Sequence, residues 1–319
     1  MMLKRWNRIL AGILAVQIVL CAVVFWPRSA ATGGSEPVFP DRDTSQVSAL
    51  SIADADGNSL VLRQVVGEWV LPGADDYPAD ASKITPFLEK VLGLDTGRLV
   101  TKTDASHKRL QVSPNDFVRR LDLEMGDGEE YVVFLGSSPS YGATHFRLDG
   151  QNETYLTGKI TSWEAAARAS SWIDTQYLSI SQDDLVSMRL ENASGEFTFT
   201  QSEEGTWSMA ELAAGDTLAE DKVTSLIRRA TSVMTSAPLG RTELTEYGMD
   251  APSALVTMET ADGVVTLRVG AKGADESSYV VISSGSPYYV EVSEYSVRDL
   301  VEKGYDDFLM VEPTPTPAS

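Results

Sequence analysis

Apolar side chains alternate along Leu50-Ser51-Ile52, a second apolar run covers Leu60-Val61-Leu62, and Asp56-Gly57 lies between them. A period of two marks strands with one buried face, and an Asp-Gly pair marks a hairpin because glycine accepts positive φ. The order returns at a spacing of 138 residues. Met188 answers Leu50, Leu190 answers Ile52, Ser194-Gly195 stands at the turn, and Gly205-Thr206-Trp207 answers Gly67-Glu68-Trp69. Trp69 and Trp207 are expected in a third short strand. Ile84, Phe87, Leu88, Val91 and Leu92 then show helical spacing, as do Val223, Leu226, Ile227, Ala230 and Met234. Asp80 and Ser82 are both capping candidates for the first helix, and Pro86 favours the later start; the second helix is expected over 219–236.

Further strand pairs turn at Gly126-Asp127-Gly128 and Ala261-Asp262-Gly263, then at Asp149-Gly150 and Ser284-Gly285. Polar helices over 162–170 and 296–303 are expected to close the two copies. The fold expected is α+β: two tandem repeats, 44–177 and 178–309, each a twisted antiparallel β-sheet with a covering helix.

The ends of the chain read differently. Ile9 to Trp26 carries no charge, Lys4, Arg5 and Arg8 precede it, and Trp6 and Trp26 flank it. The stretch from Trp6 to Trp26 rises about 30 Å as a helix, the thickness of a hydrocarbon core, and indoles favour the interface. The expectation is an N-terminal transmembrane helix over 9–26, a basic cytoplasmic segment over 1–8, and everything after Trp26 outside. A cleaved signal peptide ending near Ser29-Ala30-Ala31 is the rival, disfavoured by the length of the apolar run. A lipoprotein at Cys21 fits less well, because Leu20 precedes it. Residues 27–43 read as a flexible linker and 310–319 as a proline-threonine tail.

Charge narrows the partners. The chain holds 26 basic and 46 acidic residues, a net −20. Three of the basic residues precede the span, so the outer part is more acidic still. Such a surface repels nucleic acid and anionic headgroups. Cys21 is the single cysteine, which excludes an internal disulfide and a cysteine zinc site.

Candidate chemistry is sparse. His145 reads as a half-buried strand residue and His107 as a loop residue near Ser106, with no G-x-S-x-G elbow in the chain. Asp54-x-Asp56-Gly57-Asn58 departs from a calcium loop in the place of its glycine. The pairs Asp75-Asp76 and Asp306-Asp307 read as solvated. No catalytic, cofactor-binding or metal-binding residue is assigned, no cofactor is expected, and an enzyme is not the expected class, an uncharacterised hydrolase ranking only third among the readings.

The V-x-x-L-x-I-x-x-x-D-G run, the G-x-W turn, and Tyr247-Gly248-Met249-Asp250-Ala251-Pro252 resemble the DUF4340 family of unknown function. The resemblance extends over 44–308. The first copy departs from it, with Leu110-Gln111-Val112-Ser113-Pro114 in place of the Tyr-Gly segment. The resemblance implies a bacterial, membrane-anchored protein found alongside gliding-motility-type ABC-transporter components, hence an accessory outer subunit. Expected partners are the bilayer, through 9–26, and membrane proteins, engaged through a sheet face or an edge strand. The alternative is an extracellular ligand or wall glycan held between the modules by Tyr288-Tyr289 and Tyr141.

Overall fold

A computed structural model describes residues 35–310 apart from Asp275, together with Gln17. The expected span over 9–26 and its flanking Lys4, Arg5, Trp6, Arg8 and Trp26 therefore lie outside the described residues, Gln17 excepted. Among the described residues no helix is long and apolar enough to cross a membrane.

The described chain is α+β and mostly sheet, and every strand pairing in it is antiparallel. The first half supplies β1 (Val47–Asp54), β2 (Ser59–Val65), β3 (Glu68–Leu71), β4 (Tyr77–Pro78), β5 (Leu99–Thr101), β6 (Val112–Ser113), β7 (Asp116–Phe117), β8 (Arg119–Met125), β9 (Glu130–Leu135), β10 (Thr144–Leu148) and β11 (Thr154–Thr157). After β12 (Gln176–Ser179) come β13 (Leu185–Asn192), β14 (Gly195–Gln201), β15 (Trp207–Met209), β16 (Ser232–Met234), β17 (Ala237–Gly240), β18 (Ala254–Thr260), β19 (Gly263–Lys272), β20 (Ser278–Ser283) and β21 (Tyr289–Ser293).

The first large sheet runs β4-β3-β2-β1-β8-β9-β10-β11-β5 and the second β15-β14-β13-β18-β19-β20-β21-β17. Apart from the short β4, the orders coincide strand for strand. Irregularities fall at the same places: the register shifts between Val47 and Ala49 against β8, and between Leu185 and Ser187 against β18. One face of each sheet is buried. Leu50 pairs with Leu123 and Ile52 with Leu121, as Met188 pairs with Met258 and Leu190 with Val256, all fully buried. Gly57, Gly128, Gly195 and Gly263 hold positive φ at the hairpins, as their turns require.

Helices Ala81–Leu92 and Glu220–Thr231 lay their apolar stripes on the buried faces, and Trp69 and Trp207 sit beneath them in β3 and β15. Asp80 is the N-cap of the first helix, accepting from Ser82 N at 2.9 Å, so the helix starts earlier than the proline suggested. Pro86 is tolerated inside it. The second helix ends at Thr231 rather than Ser236, because Ser232–Met234 leaves to pair with β12. No helix forms over 162–170; only a turn at Ala169–Ser171 is helical. The carbonyls a helix would use there are taken from outside, Ala165 O by Arg119 Nε and Ala166 O by Trp172 Nε1, both at 2.7 Å. The closing helix of the second half does form, over Glu294–Glu302.

The linker reading fails for its final part. Phe39 is buried edge-on against Tyr131 at 5.2 Å, and Arg42 bridges Asp127 and Glu129 at 2.6 Å each. One buried ring and an ion-pair bridge dock the segment, a buried side chain of that size contributing about 2 kcal/mol.

The Tyr-Gly segment has a physical account in the fold. Gly248 is left-handed (φ 67°) after a short helical turn, which aims Tyr247 and Met249 into a small apolar cluster with Val280 and Tyr289. The Tyr247 carbonyl then lies so close to Gly270 that a Cβ there would sit 2.0 Å from it. In the first half Gln111 takes the left-handed position (φ 55°), Leu110 and Val112 pack on Phe134, and a Cβ on Gly136 would sit 2.2 Å from Leu110 O. The departure in sequence therefore keeps the backbone path, at the cost of a strained glutamine. Two outcomes are expected, both read by urea denaturation: Gln111→Gly gains about 1 kcal/mol by relieving that strain, and Gly270→Ala loses about 3 kcal/mol by overpacking.

Candidate functional site

At the junction between the two sheets, and in a groove beside the first helix, polar and aromatic side chains converge on a hollow. The junction is built from the turn after β3. Asp75 (φ 52°) and Asp76 (φ 58°) are successive left-handed residues, a strain that persists only where contacts over-determine it. Those contacts come from the second half. Asp75 Oδ2 accepts Arg241 N at 2.7 Å, and Asp76 O accepts the Tyr288 hydroxyl at 3.1 Å. The Arg241 guanidinium lies 4.6 Å from the Tyr288 ring centre and also donates to its hydroxyl. Tyr288 in turn packs edge-on against Tyr77 at 4.8 Å. The aspartate pair is exposed, as expected, and it also ties the two halves together.

This contact corrects the aromatic cleft. Tyr288 and Tyr289 are buried, at 7% and 6% exposure, whereas Tyr141 is fully exposed on a loop. Tyr177 closes the junction from below, donating to Tyr288 O at 2.8 Å and accepting from Ser283 N at 2.9 Å. What remains is a hollow of about 230 Å³ lined by Tyr77, Pro78, Asp174, Tyr177, Pro287 and Tyr288. One continuous apolar cluster passes through both halves, with Trp172 and Ile173 between them.

The groove is about 390 Å³ and is walled by Lys83, Phe87, Lys90, Trp163, Arg168 and Trp172 among others. Trp163 is 75% exposed at its rim. Its cations are engaged: Lys83 donates to Ile173 O, Lys90 to Glu164, and Arg168 Nε to Ser171 Oγ at 3.1 Å.

The histidines are structural. His107 is buried, not in an open loop, and its Nε2 donates to Asn152 O at 3.0 Å. Ser106 bonds Thr103 Oγ1 at 2.9 Å instead of the imidazole. His145 Nδ1 donates to Ser137 O at 2.8 Å inside β10, whose five residues are all buried. Arg147 beside it is buried too, donating to Val112 O at 2.7 Å, Leu148 O at 2.9 Å and Gln151 O at 3.0 Å beneath the Phe134 ring. Burial pushes its guanidinium below the usual arginine range, and Asp149 opposes that shift. Sequence reasoning missed Arg147, Arg241 and Tyr177. A charged residue inside an apolar strand was the available signal for the first of them.

The calcium-like loop is a closed turn. Asp54 Oδ1 accepts Asp56 N at 3.0 Å and Asn58 N at 2.9 Å, and its Oδ2 accepts Asn58 Nδ2 at 2.9 Å. These donors hold the carboxyl below the usual aspartate range. Among the described residues no three His, Cys, Asp or Glu side chains gather into a cation site.

Truncating the junction's central ring, Tyr288→Ala, is expected to cost about 3 kcal/mol in urea denaturation and to open 72–76 to protease. The Tyr289 hydroxyl, pushed up to about 12 by burial and by its hydrogen bond to Glu243, titrates later folded than unfolded. Its stabilisation is complete below about pH 10 and is lost as pH rises towards 12. Tyr289→Phe should flatten that part of the alkaline stability profile, measured as the urea midpoint from pH 9 upward.

Comparison with known proteins places the chain by one match. The family described as "Domain of unknown function (DUF4340)" matches residues 69–229, from β3 to the end of the second long helix. No curated protein and no solved structure matches. The matched stretch is narrower than the 44–308 of the resemblance and crosses the junction between the sheets. It spans just over half of the 319 residues. The chain belongs to the DUF4340 family.

Proposed function

We propose that this chain is a single-pass, membrane-anchored protein that holds two tandem copies of one α+β module, 44–177 and 178–309, outside the cytoplasm. There it acts as an accessory subunit that binds other proteins, among them components of a gliding-motility-type ABC transporter. The observation that carries the reading is the coincident strand order of the two sheets, each with an edge strand of its own at the β5 or β17 end. A sheet edge left open, as at β5, suits recognition of protein segments. The use of His107, His145 and Arg147 as internal props is consistent with a binding role. The anchor rests on the apolar run 9–26 and on the basic Lys4, Arg5 and Arg8 ahead of it, which resist translocation.

A second reading, an extracellular module for a wall glycan, is favoured by one observation. The groove at Trp163 sets an exposed indole at the rim of a hollow of about 390 Å³, the kind of aromatic surface on which a sugar ring can lie. Trp163→Ala should abolish retention on wall fragments if that reading holds and leave partner recovery intact if it does not.

The principal reading makes two expectations. A reporter fused after Ser319 should be active only outside the cytoplasm. Purification of the intact chain from detergent extracts should recover transporter components; recovery of the chain alone would count against the reading.

A further inference from the structure

The two sheets end on equivalent strands, and only one of those edges is covered. On β17, Pro238 pairs with Val290 and Gly240 with Tyr289 across a register shift. On β5, Leu99 pairs with Tyr155 and Thr101 with Thr154 across a shift at the same place. Matching the shifts puts Leu99 at the place of Pro238, Thr101 at that of Gly240, and Lys102 at that of Arg241. The β17 edge is closed by the turn Pro72–Asp75 of the first half. Pro238 is buried beside Pro72, Gly73 and Ala74, and the Asp75 carboxylate accepts Arg241 N. Gly240 lies so near that carboxylate that a Cβ would sit 2.6 Å from Asp75 Oδ2.

Among the described residues the β5 edge has no such cover. Leu99 and Val100 are 45% and 43% exposed, and Arg98 and Lys102 flank them in the open. Neither cation makes an ion pair among the described residues. An open apolar edge invites a partner chain. Pairing with the same edge of a second copy, centred on Val100, would set Arg98 opposite Lys102, and facing like charges destabilise. An acidic segment meets the opposite condition.

We infer that the β5 edge docks an acidic segment of a partner protein, built like the Pro72–Asp75 turn that the chain itself applies to β17. Apolar backbone packs on Leu99 and Val100, and carboxylates reach Arg98, Lys102 and the backbone N–H beyond the strand. The inference deepens the partner-binding reading and rests on it. It names the surface and the chemistry of what that surface takes.

The chain's own covering turn supplies the probe: a fluorescent peptide of residues 71–79, titrated against the full chain in detergent micelles and read by anisotropy. Saturable binding is expected. It should weaken at least tenfold when Asp75 and Asp76 of the peptide are both asparagine, and at least tenfold on Lys102→Glu in the chain. It should also weaken with added salt, as exposed charge pairs do. Lys102 is exposed and flanks β5 alone, so its reversal leaves the fold and the β17 edge intact, as circular dichroism will register. A Leu99→Ser chain, tested in parallel, should lose binding through the apolar contact. Absence of saturable binding, equal binding of the asparagine peptide, or full binding to the Lys102→Glu chain would each overturn the assignment, as would self-association through this edge in sedimentation. Detergent purification separates the two claims. A partner retained by both wild type and Lys102→Glu removes the edge and keeps the partner reading, whereas no partner with wild type removes that reading.

Discussion

A twisted antiparallel sheet with one apolar face must cover that face, and here amphipathic helices do so: Ala81–Leu92 in the first half, Glu220–Thr231 together with Glu294–Glu302 in the second. The cross-strand pairs Leu50–Leu123 and Met188–Met258 lie at the centre of each sheet, beneath Ile84 and Leu88 in one half and Val223 and Ile227 in the other. Each buried side chain of this size contributes about 2 kcal/mol, so the layer dominates the stability of its half. Strand register is a consequence of it. A strand slipped by one residue would turn its apolar side to water, since such a slip exchanges the two faces.

The same constraint shapes the junction. The apolar cluster does not stop at the end of the first sheet but continues through Trp172 and Ile173 into the second. Phe87 packs edge-on against Trp172 at 4.9 Å, and Asp80 N donates to Trp172 O at 2.7 Å, so the connecting segment is pinned to the first helix. From the other side, Tyr288 and Arg241 grip the strained Asp75–Asp76 turn. Strain of this kind costs on the order of 1–3 kcal/mol per residue and is held by the hydrogen bonds and ring contacts around it. The halves are thus joined by packing, and a ligand seeking the space between them meets tyrosine rings.

That arrangement gives the two edges different fates although their strands are equivalent. The turn that closes β17 comes from the neighbouring half, and among the described residues no strand or turn closes the outer side of β5. An asymmetric pair built from like modules leaves one interface half unmatched, and the unmatched half is where a further chain fits. Basic residues at β5, on a strongly acidic chain, fix the sign of what can approach.

Much of this was legible in the amino-acid order, for local reasons. Hairpin turns announce themselves through Gly57, Gly128, Gly195 and Gly263, because positive φ is a property of one residue. Alternation exposed β1, β8, β13 and β18, and helical spacing exposed Ile84 to Leu92, because each period is set by its own backbone geometry. The repeat at 138 residues emerged from those local signals taken together. Other features were decided only by residues distant in the chain. The 162–170 segment is no helix because Arg119 and Trp172 claim its carbonyls, and the second helix stops at Thr231 because β12 pairs with Ser232–Met234. His107 is buried by Asn152, and Tyr288 by Tyr77, contacts that no spacing encodes. Local order determined which elements form and which faces are apolar; where they end, what they bury and which edge stays open were settled by partners far along the sequence, because burial and hydrogen-bond satisfaction are properties of the assembled chain.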